Sequence, residues 1–151
     1  MTGITQCICA SYKLERYQGI HDLRTDTLKM ALYGSAATLN YATTAYTTTG
    51  EISGTGYSAG GSTLAVASGY PKLNTSGNAD IPVGSMVLLD FDDLTFSSLN
   101  VTGVMGALIY NSTQSNKAMY VLSFGVAFDV NGDLVLQWPT PDVMSAIVRT
   151  M

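Results

Sequence analysis

Beyond residue 27 the chain repeatedly alternates apolar and polar positions with the period of two that a half-buried strand requires. The first such run, residues 27–33, sets Leu28, Met30 and Leu32 against Lys29 and Ala31 and is closed by Gly34 and Ser35. Residues 62–68 alternate in the same way, and the C-terminal half carries the strongest strand signals, over 85–90, 94–96, 101–110, 117–124, 126–128 and 134–138. Two hairpin turns are predicted between these runs. One is Asn-Ser-Thr-Gln-Ser-Asn at 111–116, and the other is Asp-Val-Asn-Gly-Asp at 129–133, whose Asn-Gly step is a strong short hairpin signal.

A different pattern precedes the strands. Residues 9–18 contain an early Ser, apolar positions at Ala10, Leu14 and Tyr17, and a glycine stop at Gly19, which predicts one short amphipathic helix presenting those three residues to the core. Residues 35–61 are dense in Thr, Gly and small residues, so a long connection with short extended pieces is expected there. A second loop runs from 69 to 84 with Pro71, Asn74, Gly77, Asn78 and Pro82, while the tail at 142–149 reads as a last strand or a short capped helix. The β-branched Val143, Ile147 and Val148 favour strand. Turns spaced about ten residues apart predict a mainly β fold, a two-sheet antiparallel sandwich of jelly-roll type with about seven to nine strands and the short N-terminal helix. The length of 151 residues fits one domain spanning 1–151.

Composition narrows the classes of function. Charged residues make up only 12%, about half the usual share, and mean hydropathy is +0.21. A surface so poor in charge suits a protein that covers part of its exterior with partners, and a closed homodimer or homotrimer is expected. Seven scattered basic residues and a net charge of −4 give no footprint for nucleic acid. No apolar run is long enough to span a bilayer, and no basic-then-apolar leader opens the chain, so neither a membrane nor a secretory route is expected.

Candidate chemistry is sparse. Cys7 and Cys9 are too close for an unstrained disulfide and supply half a zinc site, so they read as small apolar residues beside the helix. His21 is the sole imidazole available as a base for a Ser or Cys nucleophile, and just past the helix stop it reads as a helix-capping or solvent-facing histidine. Asp90, Asp92 and Asp93 read as a solvated edge turn rather than paired catalytic carboxylates or calcium ligands. The 129–133 segment lacks the distal Glu of a calcium loop, and the Gly-rich stretch 54–61 lacks the Lys of a phosphate cradle. The sequons at Asn74, Asn100 and Asn111 read as chance products of a Ser/Thr-rich chain. No catalytic residue, metal or cofactor is therefore expected. Trp138, ahead of Pro139, reads as a core anchor or, with Tyr46 and Tyr57, as an anchor for a protein interface.

Taken in order, five segments resemble a family of small structural proteins encoded in tailed-phage genomes. They are Gly-Ile-His at 19–21, Leu-Lys-Met-Ala-Leu-Tyr at 28–33, Thr-Thr-Ala-Tyr-Thr-Thr-Thr-Gly-Glu at 43–51, Gly-Thr-Gly-Tyr-Ser-Ala-Gly-Gly at 54–61 and Ala-Leu-Ile-Tyr-Asn-Ser-Thr-Gln-Ser-Asn-Lys-Ala at 107–118. The resemblance covers residues 12–149, although 70–81 and 129–133 match no family pattern. It implies a virion component without enzyme activity, similar in size to jelly-roll cement or decoration proteins that bind the major capsid protein. The expected location is then the capsid surface, after folding in the host cytoplasm. A tail or neck structural protein and a receptor- or carbohydrate-binding fibre module are the competing readings; an enzyme ranks last because no acid, base and nucleophile set is evident.

Overall fold

The computed structural model describes residues 3–142, 144 and 148–150. It is mainly β, with one helix and ten strands in the order β1 (Gly3–Ile4), β2 (Cys7–Ile8), α1 (Ala10–Tyr17), β3 (Leu28–Tyr33), β4 (Thr38–Leu39), β5 (Ser62–Leu64), β6 (Lys72–Leu73), β7 (Val87–Leu89), β8 (Leu94–Asn111), β9 (Lys117–Leu136) and β10 (Val148–Thr150). The chain clusters into two compact units, Met1–Thr63 with Thr95–Leu134 and Leu64–Leu94 with Val135–Met151.

The first unit is built on a five-stranded sheet in the order β2-β9-β8-β3-β5, with β1 and β4 forming a separate parallel pair. β3 lies antiparallel to β8, with Leu28 opposite Asn111 and Tyr33 opposite Gly106. The predicted strand is present, but its expected one-sided burial is not. Leu28, Met30, Ala31, Leu32 and Tyr33 are all buried, because β3 has chain on both faces. The Gly-rich segment runs close beside β3 and β8, bridging to β8 through Thr55 and Asn100. A Cβ at Gly61 (φ +73) would fall 1.7 Å from the Met30 carbonyl oxygen, and one at Gly54 would fall 2.4 Å from that of Asn100. These glycines permit close backbone packing, which accounts for the stretch without any phosphate.

The helix begins with Cys9 in an extended conformation and no side-chain cap. It ends in a Schellman motif, with Gly19 at φ +68 and the Gly19 and Ile20 N–H groups donating to the Arg16 and Glu15 carbonyls at 3.3 and 3.1 Å. Its extent matches the expectation, whereas its buried face does not. Leu14 and Tyr17 are 59% and 88% exposed, and the residues turned inward are Tyr12 and Glu15. The reason is the partner set of Glu15, described below, which makes burial of a carboxylate tolerable.

β8 and β9 are long continuous strands of 18 and 20 residues where the sequence reading expected two shorter strands in the first and three in the second. The hairpin between them is as expected, with Ser115 and Asn116 at φ 55 and 60. The second predicted turn is absent, since residues 129–133 lie inside β9. Its acids serve two irregularities in β8 instead. Ser98 (φ 55) and Gly103 (φ 69) have the left-handed conformation of a bulge residue. Their N–H groups donate to Asp133 Oδ1 and Asp129 Oδ1, each at 2.8 Å. Each bulge thus frees an amide from the strand ladder, and a carboxylate on β9 accepts it.

In the second unit β10, β7 and β6 form a three-stranded antiparallel sheet, with Val148 opposite Leu89 and Lys72 opposite Leu88. Met86 and Leu88 are packed against Tyr70 and Ile81. The loop at 69–84 is organised by buried Asn74, whose Nδ2 donates to Ser76 O and Pro82 O (2.6 and 3.0 Å) while Oδ1 accepts from Met86 N (2.8 Å). Within the tail, Val148 to Thr150 are strand as favoured; residues 143 and 145–147, with Val143 and Ile147, lie outside the described residues.

Candidate interaction surfaces

Glu51 is the only charged residue between Lys29 and Lys72. Its carboxylate accepts hydrogen bonds from Tyr46 Oη and Tyr57 Oη at 2.6 Å each and from Gly60 N at 2.7 Å. Around this centre, Tyr57 Oη also accepts from Leu32 N (2.9 Å), Tyr110 Oη donates to Gly60 O (2.7 Å) and Tyr33 Oη donates to Thr47 O (2.6 Å). The Tyr46 ring stacks on Tyr110 at 4.9 Å, and Tyr57 on Phe96 at 6.1 Å. Burial, and then the negative charge of Glu51, pushes the phenols of Tyr33, Tyr46, Tyr57 and Tyr110 above their ordinary value. The cluster is a clasp that fastens the long connection to β3 and β8.

A second polar cluster sits under the helix. Glu15, only 7% exposed, meets Lys117 Nζ through Oε1 and His21 Nε2 through Oε2, both at 2.8 Å. Asn111 Nδ2 lies 3.0 Å from His21 Nδ1 and donates to Asp26 Oδ2 at 2.7 Å, so the proton on Nε2 satisfies both imidazole contacts. Tyr12 packs edge-on against His21 and Tyr120. His21 therefore neither caps the helix nor faces solvent, its side chain being 1% exposed. Burial raises the Glu15 and Asp26 carboxyls, but hydrogen bonds from Lys117 and His21 to Glu15 and from Asn111 to Asp26 outweigh it, and both end below their ordinary values.

The remaining sequence candidates are placed as follows. Tyr46 and Tyr57 are half-buried with their hydroxyls committed to Glu51. In the second unit, Trp138 is half-buried against Phe91 at 5.4 Å; its backbone N–H donates to Asp93 Oδ1 and its indole N–H to Asp92 O. Asp92 and Asp93 are exposed, whereas Asp90 is half-buried, and burial raises its carboxyl. Cys7 and Cys9 are both free thiols, and burial followed by the proximity of Cys7 pushes Cys9 up to about 12, so it is unreactive. Asn74 and Asn111 are buried with their side-chain amides engaged, which leaves those sequons no access for a glycan. No group of three or more His, Cys, Asp or Glu positioned to hold a metal ion occurs among the described residues. No described helix is long and apolar enough to cross a membrane.

Two surfaces stand out. From Gly34 to Gly50 the chain carries no charge and six threonines. Thr38, Asn40, Thr43, Thr44, Tyr46 and Thr47 border a surface hollow of about 470 Å³, and Tyr41 beside them in the chain is 67% exposed. The clasp ties this stretch down at Tyr46, through Glu51, and at Thr47, whose carbonyl accepts from Tyr33 Oη. The other surface is the outer edge of β9. β2 pairs with β9 only at Tyr120 and Val121, and Gln6 Oε1 accepts from Ser123 N at 3.4 Å. From Phe124 to Leu134 that edge has no strand beside it among the described residues. Sequence reading missed both the edge and the clasp; the isolated charge of Glu51 amid tyrosines was the one available signal.

No family model, curated protein or solved structure matches the chain.

Proposed function

We propose that the chain is a non-enzymatic structural component of a tailed-phage particle, a cement protein that binds the outer surface of the major capsid protein shell and bridges neighbouring capsomers. The observation that carries this reading is the uncharged, threonine-rich stretch of residues 34–50, tied down by the bonds of Tyr46 to Glu51 and of Tyr33 to Thr47 O. A rigid surface of hydroxyls loses little entropy on docking and suits a wet, hydrogen-bonded interface. Each copy needs only modest affinity, because contacts repeated over a lattice act at high effective concentration. The phage setting is supported by the motif resemblance: its Thr-Thr-Ala-Tyr…Glu and Gly-Thr-Gly-Tyr segments supply the clasp tyrosines and Glu51. The same residues that carry the resemblance thus hold the docking face.

The test is to add the purified chain to shells that lack it and measure bound copies and heat resistance of the shell. Wild type binds in stoichiometric amounts and raises the disassembly temperature. A lysine at exposed Thr44 or Thr48, T44K or T48K, lowers occupancy at least tenfold while leaving the circular dichroism melt unchanged. A second reading, carbohydrate recognition by a fibre module, is favoured by the hollow and by exposed Tyr41. Binding to host-surface glycans, with no binding to shells, would replace the first reading with the second.

A further inference from the structure

Edge strands are ordinarily guarded by lysines, prolines, bulges or a covering segment. The outer edge of β9 has little of this protection. Residues 118–136 contain no Lys, Arg or Pro. The two acids, Asp129 and Asp133, are tied to the β8 amides of Gly103 and Ser98. Val126 is 72% exposed, Phe124 and Phe128 pack ring to ring at 5.7 Å, and from Phe128 onward half-buried residues alternate with exposed ones, Phe128, Val130, Gly132 and Leu134 against Asp129, Asn131 and Asp133.

We infer that two copies of the chain pair through this edge, antiparallel about a two-fold axis at Val130, so that their five-stranded sheets join into one. The sequence of the edge is complementary to itself in that register. Phe128 of each copy lies opposite Gly132 of the other, and an aromatic ring over a cross-strand glycine covers the backbone that glycine leaves bare. Val126 lies opposite Leu134, and on the other face Asp129 lies opposite Asn131 and Ala127 opposite Asp133. Moving the axis one residue forward, to Asn131, sets Asp129 opposite Asp133 twice. Moving it one residue back sets Asp129 against its own copy. Like charges directly opposed are destabilising, which disfavours both of those registers, and among the registers that keep the acids apart only the Val130 axis sets Phe128 over Gly132 twice; that self-match points to a second copy as the occupant. A strand supplied by a foreign protein is under no such constraint. The contact is isologous and uses each edge once, so assembly stops at the dimer. A dimer of this form gives the proposed cement two shell-binding faces, and it rests on that reading only for its biological setting.

The experiment is sedimentation velocity of the full chain across 1–100 µM with reductant, on wild type and on two variants of exposed Asn131. N131D places two acids against Asp129 of the mate, and N131K places a lysine there. Wild type is expected to be dimeric, with N131D raising the dissociation constant at least tenfold and N131K leaving it unchanged or lower. Amides of residues 124–134 should lose hydrogen-exchange protection on dilution to monomer. A monomeric wild type at 100 µM overturns the inference, as does a dimer insensitive to N131D or a larger closed assembly. Failure here leaves the cement reading intact, since shell binding is measured separately. A dimer that never binds shells removes the cement reading and leaves the pairing.

Discussion

Glu51 shows how a single residue can fix a whole connection. Its carboxylate satisfies two phenols and one backbone amide, and removing it strands all three in a half-buried site. Glu51→Ala should therefore cost about 2–4 kcal/mol in urea unfolding, and the near-ultraviolet tyrosine signal should weaken with it. The tyrosines also set an alkaline limit. Their folded values are raised above the ordinary 10.0, so the folded state holds protons that the unfolded chain releases. Stability is full below pH 10 and is lost as pH rises beyond it. Glu15 and Asp26 set the acid limit with the opposite sign. Their folded values lie below the ordinary 4.5 and 3.8, so their contribution is full above those values and is lost as pH falls below them. Thermal melts from pH 2 to 11 should show a plateau between these limbs. Replacing Glu15 by Gln should flatten the acid limb, and an unaltered limb would contradict the assignment.

At the scale of elements, the β8–β9 hairpin depends on carboxylates that accept the amides freed by its bulges. Asp129→Ala and Asp133→Ala should each cost about 0.5–1.5 kcal/mol, the usual net worth of one hydrogen bond. Exchange should accelerate selectively at the Gly103 amide in the first variant and the Ser98 amide in the second. This hairpin is also where the sequence was least transparent. Asn131-Gly132 between alternating runs has the chemistry of a tight turn, and nothing nearby signals that the acids flanking it answer Ser98 and Gly103 some thirty residues earlier. By contrast, β3, the helix limits and the 112–116 turn were legible, because Gly19, Gly34 and the polar run after Asn111 are local stop signals. The helix face was misread for a physical reason. Amphipathicity counts Glu15 as solvent-facing, whereas Lys117 and His21, distant in sequence, compensate its charge inside.

For the whole molecule, low charge density enters both proposals. The threonine-rich stretch is the proposed docking surface, and the outer β9 edge is the proposed self-pairing strand. Composition announced the first property only in general terms, and it pointed to association without locating it. Tyr46 and Tyr57, read as interface anchors, have their hydroxyls turned to Glu51. The central claim is that the chain is a stoichiometric part of a phage shell. Its most direct test is quantitative mass spectrometry of purified particles of the phage whose genome encodes it, with the major capsid protein as internal standard. The account predicts hundreds of copies in fixed ratio to the shell protein; a dozen or fewer, or none, would contradict it.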